Sequence, residues 1–294
     1  MPRSCGCCKA AATITRLYER ITTETHFWTL FWILIAAGLF VTVTVLPYSL
    51  AINPEAAGQL KAKLAEKGSR LPAMVVIVFA SVVQAGLLIA IAIYVGLLAA
   101  RAVGLRLPVL EAMLEGRPAL PVLLAGLPVA LLVGFGAGAG IIALERYYFQ
   151  PRLPEAFHEV KAKQASWKRA LVCFYGGIYE ELLLRLFVMS GLIWLIGRVW
   201  PASAGQIPPG TFWMANIIAT LLFGLGHLPA TARIAPLTPL IVARALILNG
   251  LAGLLFGVLF LHYGLEFAII AHFCMDIMMH LVLPELMAAG EHKG

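Results

Sequence analysis

The feature that most constrains this chain is a series of long, uninterrupted apolar stretches. An α-helix needs about 20 apolar residues, and at least about 17, to cross a hydrocarbon core of about 30 Å, and each stretch is long enough. They cover residues 27–52, 71–100, 119–144, 170–199, 212–228, 237–263 and 265–283. Glycines at 250, 253 and 257 interrupt the sixth stretch, which leaves open a kink that would create an eighth, broken span, or close helix packing. The sequence predicts an all-α polytopic membrane bundle of seven to eight transmembrane helices.

The composition excludes several other classes of protein. Of the 294 residues, 61% are hydrophobic and only 13% are charged, whereas soluble domains have roughly 45–50% and about 25%. A transmembrane β-barrel would show short alternating segments, and a disordered chain would lack these apolar runs. The net charge of +7 does not indicate nucleic-acid binding, because the basic residues are scattered between the apolar stretches, where they are typical of membrane anchors.

The charge distribution also predicts how the chain is divided and oriented. We expect an N-terminal membrane region with about three spans and a basic connector over residues 1–169, a membrane helix core over 170–283 and a short polar tail over 284–294. The connectors on the side of residues 146–169 are the richer in Lys and Arg, so the positive-inside rule places that side in the cytoplasm and the N-terminus outside. The cell membrane is the expected location.

The glycines and cysteines of the chain indicate less about its function. In the third stretch, the glycines of residues 134–140 predict a close approach between helices, because no strand precedes them and no Lys-Ser/Thr pair follows them as in a phosphate loop. Cys5, Cys7 and Cys8 form no spaced disulfide or zinc pattern.

Ionisable residues inside apolar stretches are the informative positions, because a charge at mid-bilayer costs at least about 2.5–3.5 kcal/mol. The fourth stretch contains Glu180, Glu181 and Arg185. On a helix, Glu181 and Arg185 lie four residues apart on one face and can pair, whereas Glu180 points about 100° away. Glu180 is therefore left to face a cavity, where it is a candidate general base for hydrolysis. A buried ion pair that only sets the helix register is the alternative.

Two further groups of polar residues lie in later stretches. Phe223 and His227 share one helix face at the end of the fifth stretch, and His272 and Asp276 share one face in the last stretch. Taken alone, a histidine near the end of a span is more often an interfacial or packing residue, and the pair of His272 and Asp276 is as compatible with a buried hydrogen bond as with catalysis. Together with the fourth stretch, however, they place several charged or titratable groups in apolar helices, and membrane proteins seldom keep such groups without a function.

The ordered pattern Glu-Glu-x-x-x-Arg, Phe-x-x-x-His and His-x-x-x-Asp resembles the CPBP family, which includes the CAAX proteases, bacteriocin-processing enzymes and Abi proteins. The resemblance covers about residues 170–283. It implies a glutamic-type intramembrane endopeptidase without a metal or other cofactor. The implied partners are the lipid bilayer and a membrane-associated protein or peptide, with a prenylated CAAX-type tail, a leader peptide or a C-terminal sorting signal as possible substrates.

The resemblance also implies a role for each matching residue. Glu180 would activate the hydrolytic water with His227 as its partner, and Glu181 and Arg185 would support them. His272 and Asp276 would polarise the scissile carbonyl. Where part of the family has Asn, this chain has Asp276, and an ionised Asp cannot donate a hydrogen bond. Asp276 is therefore either protonated or only orients His272.

Two other functions remain open from the sequence. Two histidines and carboxylates from separate helices could form the zinc site of an intramembrane metalloprotease, although no H-E-x-x-H helix is present. Alternatively, the buried Glu, His and Arg residues could form a proton or ion relay in a non-catalytic transporter or immunity scaffold, although the two halves show no internal repeat.

Overall fold

The computed structural model describes residues 6–52, 54–67, 72–154, 165–200 and 206–286. Within these residues the chain contains helices and no strand. The α-helices are α1 Gly6–Thr44, α2 Leu46–Ile52, α3 Pro54–Glu66, α4 Ala73–Val103, α5 Pro108–Leu114, α6 Ala119–Leu144, α7 Ser166–Phe174, α8 Ser190–Val199, α9 Pro209–Gly226, α10 Leu228–Ala232, α11 Pro239–His262 and α12 Leu265–Ile277. A short 3₁₀ turn covers Gln150–Arg152, and π-helical segments cover Glu145–Phe149, Tyr175–Glu180, Leu182–Met189 and Met278–Val282.

Seven helical stretches in the described part of the chain are long and apolar enough to cross a membrane. They are Glu24–Ala51, Ala73–Val103, Ala119–Arg152, Ser166–Val199, Pro209–Ala232, Pro239–His262 and Leu265–Leu286. The predicted all-α membrane bundle is confirmed. The sixth span is one continuous helix through its glycines, so the described residues contain no broken eighth span.

Apolar side chains cover the outside of the bundle. Phe79, Leu87 and Leu132 are each more than 60% exposed, although they lie in the middle of apolar spans. Soluble monomers seldom expose apolar patches of more than a few hundred Å², whereas a lipid-facing surface is apolar throughout. The chain is an integral multi-pass membrane protein.

Glycines allow the third and seventh spans to approach each other closely. A Cβ atom added at Gly126 would overlap the ring of Phe267, and one added at Gly134 would overlap the backbone of Ala271. One added at Gly138 would lie 2.6 Å from Cβ of Met278. The helix approach predicted for residues 134–140 is therefore present, and the glycines make room for it.

A buried carboxylate ties a connecting helix to the last span. The backbone N–H groups of Val109 and Leu110, at the start of α5, donate to Oε1 of Glu266 at 3.0 and 2.9 Å. These N–H groups have no partner within their own helix, and the carboxylate also complements the positive end of the helix dipole. The sequence analysis gave Glu266 no role, and the structure shows a capping role.

The seven spans alternate in direction, which sorts their ends onto two sides. The first, third, fifth and seventh spans end on one side, where the fourth and sixth begin. We call this the cavity side, because the cavity described below lies there. Cys5 and residues 155–164 and 287–294 lie outside the described residues, and so do the side chains of Cys7 and Cys8. The structure therefore does not describe residues 155–164 of the predicted basic connector or most of the predicted polar tail.

Candidate active site

A cavity of about 670 Å³ lies between the helices on the cavity side. Its walls come from the first span and from the third to the seventh, and they are mainly apolar. Four of the predicted site residues line it: Glu180, His227, His272 and Asp276. Phe223 also lines it, whereas Glu181 and Arg185 are buried behind the wall.

The backbone that carries Glu180 and Glu181 is not a regular α-helix. Tyr175–Glu180 and Leu182–Met189 are both π-helical, and Glu181 lies between these two segments. π-helical turns are rare in proteins and occur frequently at functional sites. The sequence analysis assumed an α-helix here. The predicted pair of Glu181 and Arg185 nevertheless forms across the wider turn.

Arg185 and Glu181 form a buried ion pair. Nη1 of Arg185 lies 3.2 Å from Oε1 of Glu181, and both residues are at most 1% exposed. The guanidinium also donates from Nη2 to the carbonyl oxygen of Gly253 at 2.8 Å. It lies between the rings of Phe223 and Phe256, with its central carbon 5.7 Å from each ring centroid. The pair balances the Glu181 charge within the bundle, and removing one partner would leave the other charge buried alone.

His272 is held by Glu181. The Nδ1 atom of His272 lies 2.7 Å from Oε1 of Glu181, which is a short hydrogen bond between buried groups. The imidazole ring stacks on Phe256 with centroids 4.9 Å apart, and Phe223 contacts it edge-on at 5.8 Å. These contacts fix the ring so that Nε2 points toward Glu180, whose Oε2 lies 3.6 Å away.

Glu180 and His227 face each other across the cavity. Nδ1 of His227 lies 2.8 Å from the carbonyl oxygen of Phe223. Because a carbonyl oxygen only accepts, Nδ1 carries the proton, and Nε2 of the neutral ring is left as an acceptor. This Nε2 lies 3.9 Å from Oε1 of Glu180, which is too far for a direct hydrogen bond and suitable for a bridging water.

Asp276 lies beside His272 without a direct hydrogen bond to it. Its Oδ1 is 3.8 Å from Nε2 of His272, while the hydrogen bond that orients the ring comes from Glu181. Asp276 also lies against the backbone of Gly176. A Cβ added at Gly176 would overlap Oδ2 of Asp276 and lie 3.2 Å from Nε2 of His272. The missing side chain of Gly176 therefore makes room for the carboxylate.

The structure adds residues that the sequence analysis did not identify. The sequence indicates no partner for Arg244, and the structure pairs it with Glu145 through two hydrogen bonds of 2.7 and 2.6 Å. Tyr48 and Ser49, at the end of the first span, line the cavity outside the predicted core of residues 170–283. No local motif marks these residues. Arg244 and Glu145 are 99 positions apart, and the cavity walls that face Tyr48 and Ser49 come from residue 141 onward.

The arrangement provides the parts that hydrolysis needs. Glu180 is a partly exposed carboxylate in the cavity, with Nε2 of His227 on one side and Nε2 of His272 on the other. Among the described residues, no group of three His, Cys, Asp or Glu side chains is arranged to hold a metal ion. The Nδ1 atoms of His227 and His272 are already bound to protein oxygens.

Comparison with known proteins links this region to one family. Residues 162–278 match the family model described as type II CAAX prenyl endopeptidase Rce1-like. A search of curated proteins and a search of solved structures returned no match to the chain. The matched segment contains all seven residues of the predicted site, from Glu180 to Asp276. Residues 162–278, which contain the candidate site, are therefore similar to the Rce1-like type II CAAX prenyl endopeptidases.

Proposed function

We propose that this protein is a glutamic-type intramembrane endopeptidase that cleaves a membrane-associated protein or peptide. The observation that supports this most is the convergence of Glu180, His227 and His272 on one point of a cavity inside an apolar bundle. Oε1 of Glu180 faces Nε2 of His227 at 3.9 Å, and Oε2 faces Nε2 of His272 at 3.6 Å. A water molecule held there would lie next to a base and next to a donor for the substrate carbonyl.

Glu180 acts as the general base in this proposal. A water between Glu180 and His227 gives a proton to the Glu180 carboxylate while its oxygen attacks the scissile carbonyl carbon. Glu180 suits this role because its side chain is 21% exposed to the cavity, where a water molecule can reach it. Glu181 is unsuitable, because it is buried and paired with Arg185 and His272.

His272 stabilises the charge that develops on the carbonyl oxygen. When the ring is an imidazolium, it donates from Nδ1 to Glu181 and from Nε2 to the oxyanion. Three carboxyl groups lie around this ring, namely those of Glu180, Glu181 and Asp276, and the hydrogen bond from Nδ1 to Glu181 keeps Nε2 directed into the cavity. Donors fixed in place before the reaction stabilise the transition state without reorganisation.

Proton return completes the reaction. The protonated Glu180, directly or through Nε2 of His227, gives its proton to the nitrogen of the tetrahedral intermediate. The C–N bond then breaks, which releases an amine and a new carboxylic acid. One water is consumed for each bond cleaved. Asp276 is a positioning residue here, since it lies against the backbone of Gly176 beside the His272 ring.

The family match supports a proposal for the substrate, and the distribution of basic residues supports one for the location. A prenylated CAAX-type tail is the proposed substrate, because the matching family model is described by that activity. The cell membrane is the proposed location, with the cavity side toward the cytoplasm. The cavity would then open to the compartment in which prenylated tails are made available.

The test uses the full chain in lipid vesicles with a peptide that carries a prenylated cysteine and a three-residue tail. Glu180→Gln keeps the shape of the side chain and removes the base, so we expect cleavage to fall by about 10²–10⁴-fold. The exposed Glu115 provides the matched control, and Glu115→Gln should keep wild-type activity. Equal cleavage by the wild type and Glu180→Gln would contradict the proposal.

A chelator separates this mechanism from zinc catalysis. Because Glu180 activates the water without a metal in the proposed mechanism, activity should survive treatment with 1,10-phenanthroline or EDTA. Loss of activity with chelator and its recovery with added zinc would favour a metalloprotease instead.

A further inference from the structure

The charges that line the cavity are distributed unevenly. The carboxylates of Glu180 and Asp276 lie at the inner end, next to His272, whereas Arg233 and Arg244 line the cavity toward the side on which the fifth span ends and the sixth begins. Arg244 is paired with Glu145. Arg233 is exposed, and no carboxylate in the described part of the chain forms an ion pair with it.

The distance along the fifth span between His227, which faces Glu180, and Arg233 can be estimated from the backbone. The residues from His227 through α10 to Arg233 are all helical, with φ −83° and ψ −16° at His227 and φ −77° and ψ −19° at Arg233. Six residues of helix rise about 9 Å. An extended peptide spans about 3.3–3.6 Å for each residue, so about three residues cover that distance.

The wall between the two ends suits an apolar segment. It includes Leu248, Met275, Met279 and Ile141, which lie on three different spans. Aliphatic side chains of a short extended peptide would be buried there. An anionic group would be repelled by Glu180 and Asp276 and attracted to Arg233, so the field of the cavity favours one direction for a peptide that ends in a carboxylate.

We propose that Arg233 is a specificity-determining residue that binds the free α-carboxylate of a substrate tail, about three residues beyond the scissile bond. This inference rests on the proposed function. The planar guanidinium of arginine donates two parallel hydrogen bonds to a carboxylate, which gives both affinity and a fixed distance. Arg233 thereby favours a C-terminal tail over a leader peptide or an internal segment, neither of which presents a carboxylate at that distance.

The experiment compares two peptides that differ only at the C-terminus. Both carry a farnesylated cysteine followed by Val-Ile-Met, and one ends in a carboxylate, the other in an amide. The wild-type protein in vesicles should cleave the acid with the higher kcat/KM. In Arg233→Gln the acid-to-amide ratio of kcat/KM should fall about tenfold, and Arg233→Lys should retain part of it.

A matched control and a binding measurement complete the test. Arg198→Gln removes one exposed positive charge from the opposite side of the bundle and should keep the wild-type ratio. Binding of the two peptides to Glu180→Gln, measured by fluorescence anisotropy, should favour the acid and lose this preference when Arg233→Gln is added.

The outcomes separate this inference from the proposed function. If the wild type cleaves both peptides and Arg233→Gln leaves the ratio unchanged, the inference is overturned and the proposed function stands. If neither peptide is cleaved but Glu180→Gln binds the acid through Arg233, the carboxylate site stands and the proposed function is overturned. If there is neither cleavage nor preferential binding, both are overturned.

Discussion

At the scale of single residues, the neighbours Glu180 and Glu181 have opposite surroundings. Glu181 is fully buried, ion-paired with Arg185 and hydrogen-bonded to His272. Glu180 faces the cavity, where its carboxylate oxygens lie 3.9 and 3.6 Å from the Nε2 atoms of His227 and His272. A carboxylate that holds its neighbours in place and a carboxylate that meets water have different tasks. These surroundings support the proposal that Glu180 carries out the reaction and that Glu181 supports it.

The position of Asp276 can be tested through Gly176. In Gly176→Ala the new methyl group would displace the Asp276 carboxylate and press on the His272 ring. A displacement of about 1 Å near a reacting centre can cost about 10²-fold in rate, so we expect a loss of that order in kcat. Thermal unfolding in detergent should change little, because alanine is favoured over glycine within a helix and the displaced group is the end of a side chain.

Gly191→Ala is the control for this variant. Gly191 lies in the same span, and no atom lies within 4 Å of the Cβ that it would gain. It should keep wild-type activity. If Gly176→Ala were as active as Gly191→Ala, the position of Asp276 beside His272 would have no part in the reaction.

The sequence predicts some of these contacts and not others for a physical reason. The pair of Glu181 and Arg185 was predictable, because residues four apart share a helix face. The hydrogen bond between His272 and Glu181 and the pair of Arg244 and Glu145 join residues 91 and 99 positions apart. Such contacts depend on how the spans pack, and no local spacing encodes them.

At the scale of the helices, the apolar runs predicted the spans well and the backbone detail poorly. Seven predicted runs correspond to seven observed spans, because the thickness of the hydrocarbon core fixes their length. The π-helical segments around Glu181 were not predicted. They depend on the backbone hydrogen-bond pattern, and the amino-acid pattern of residues 175–189 has the apolar character of any membrane helix.

Small residues hold the fifth and sixth spans close together. The sequence left open whether the glycines of residues 250–257 mark a kink or a packing face, and the structure shows a packing face. The side chain of Thr220 lies against Gly253, and that of Asn216 lies against Gly257. Asn216 also donates from Nδ2 to the carbonyl oxygen of Leu254 at 3.0 Å. This contact positions Phe256, on which His272 stacks.

A single methyl group at this contact tests its importance. In Gly257→Ala the added Cβ would overlap the Asn216 side chain, so we expect the two spans to separate and stability to fall by about 1–3 kcal/mol. Activity should fall as well, because Phe256 would move. Thermal unfolding and peptide cleavage measure the two effects. Gly250→Ala is the control, since its Cβ would lie 4.0 Å from the nearest atom, on Thr220.

At the scale of the whole molecule, the bundle places its cavity in one half of the membrane. The cavity extends from His272, Phe223 and Ala252, which lie well inside their spans, to residues at the cavity-side ends of the first and fifth spans. The N-terminal spans thus complete the site, since the first span contributes Tyr48 and Ser49. The other end of the bundle, where the fourth span ends at Val199, lies on the opposite side.

The orientation of the molecule gives a further prediction. In a background without the five native cysteines, Leu237→Cys lies on the cavity side and Glu115→Cys on the opposite side. If the cavity side faces the cytoplasm, a membrane-impermeant maleimide added to intact cells should label only Glu115→Cys. Labelling of Leu237→Cys alone would reverse the orientation, and it would place the cavity away from the cytoplasmic substrates proposed here.

The most direct test asks whether Glu180 cleaves peptide bonds in the native membrane. Cells that express the wild type and cells that express Glu180→Gln at the same level would be compared by mass spectrometry of membrane-protein termini. We predict new C-termini in the wild type, at cysteines followed by a removed three-residue tail, which are lost in Glu180→Gln. Identical sets of termini in the two samples, with the substrates expressed in both, would contradict proteolysis by this site.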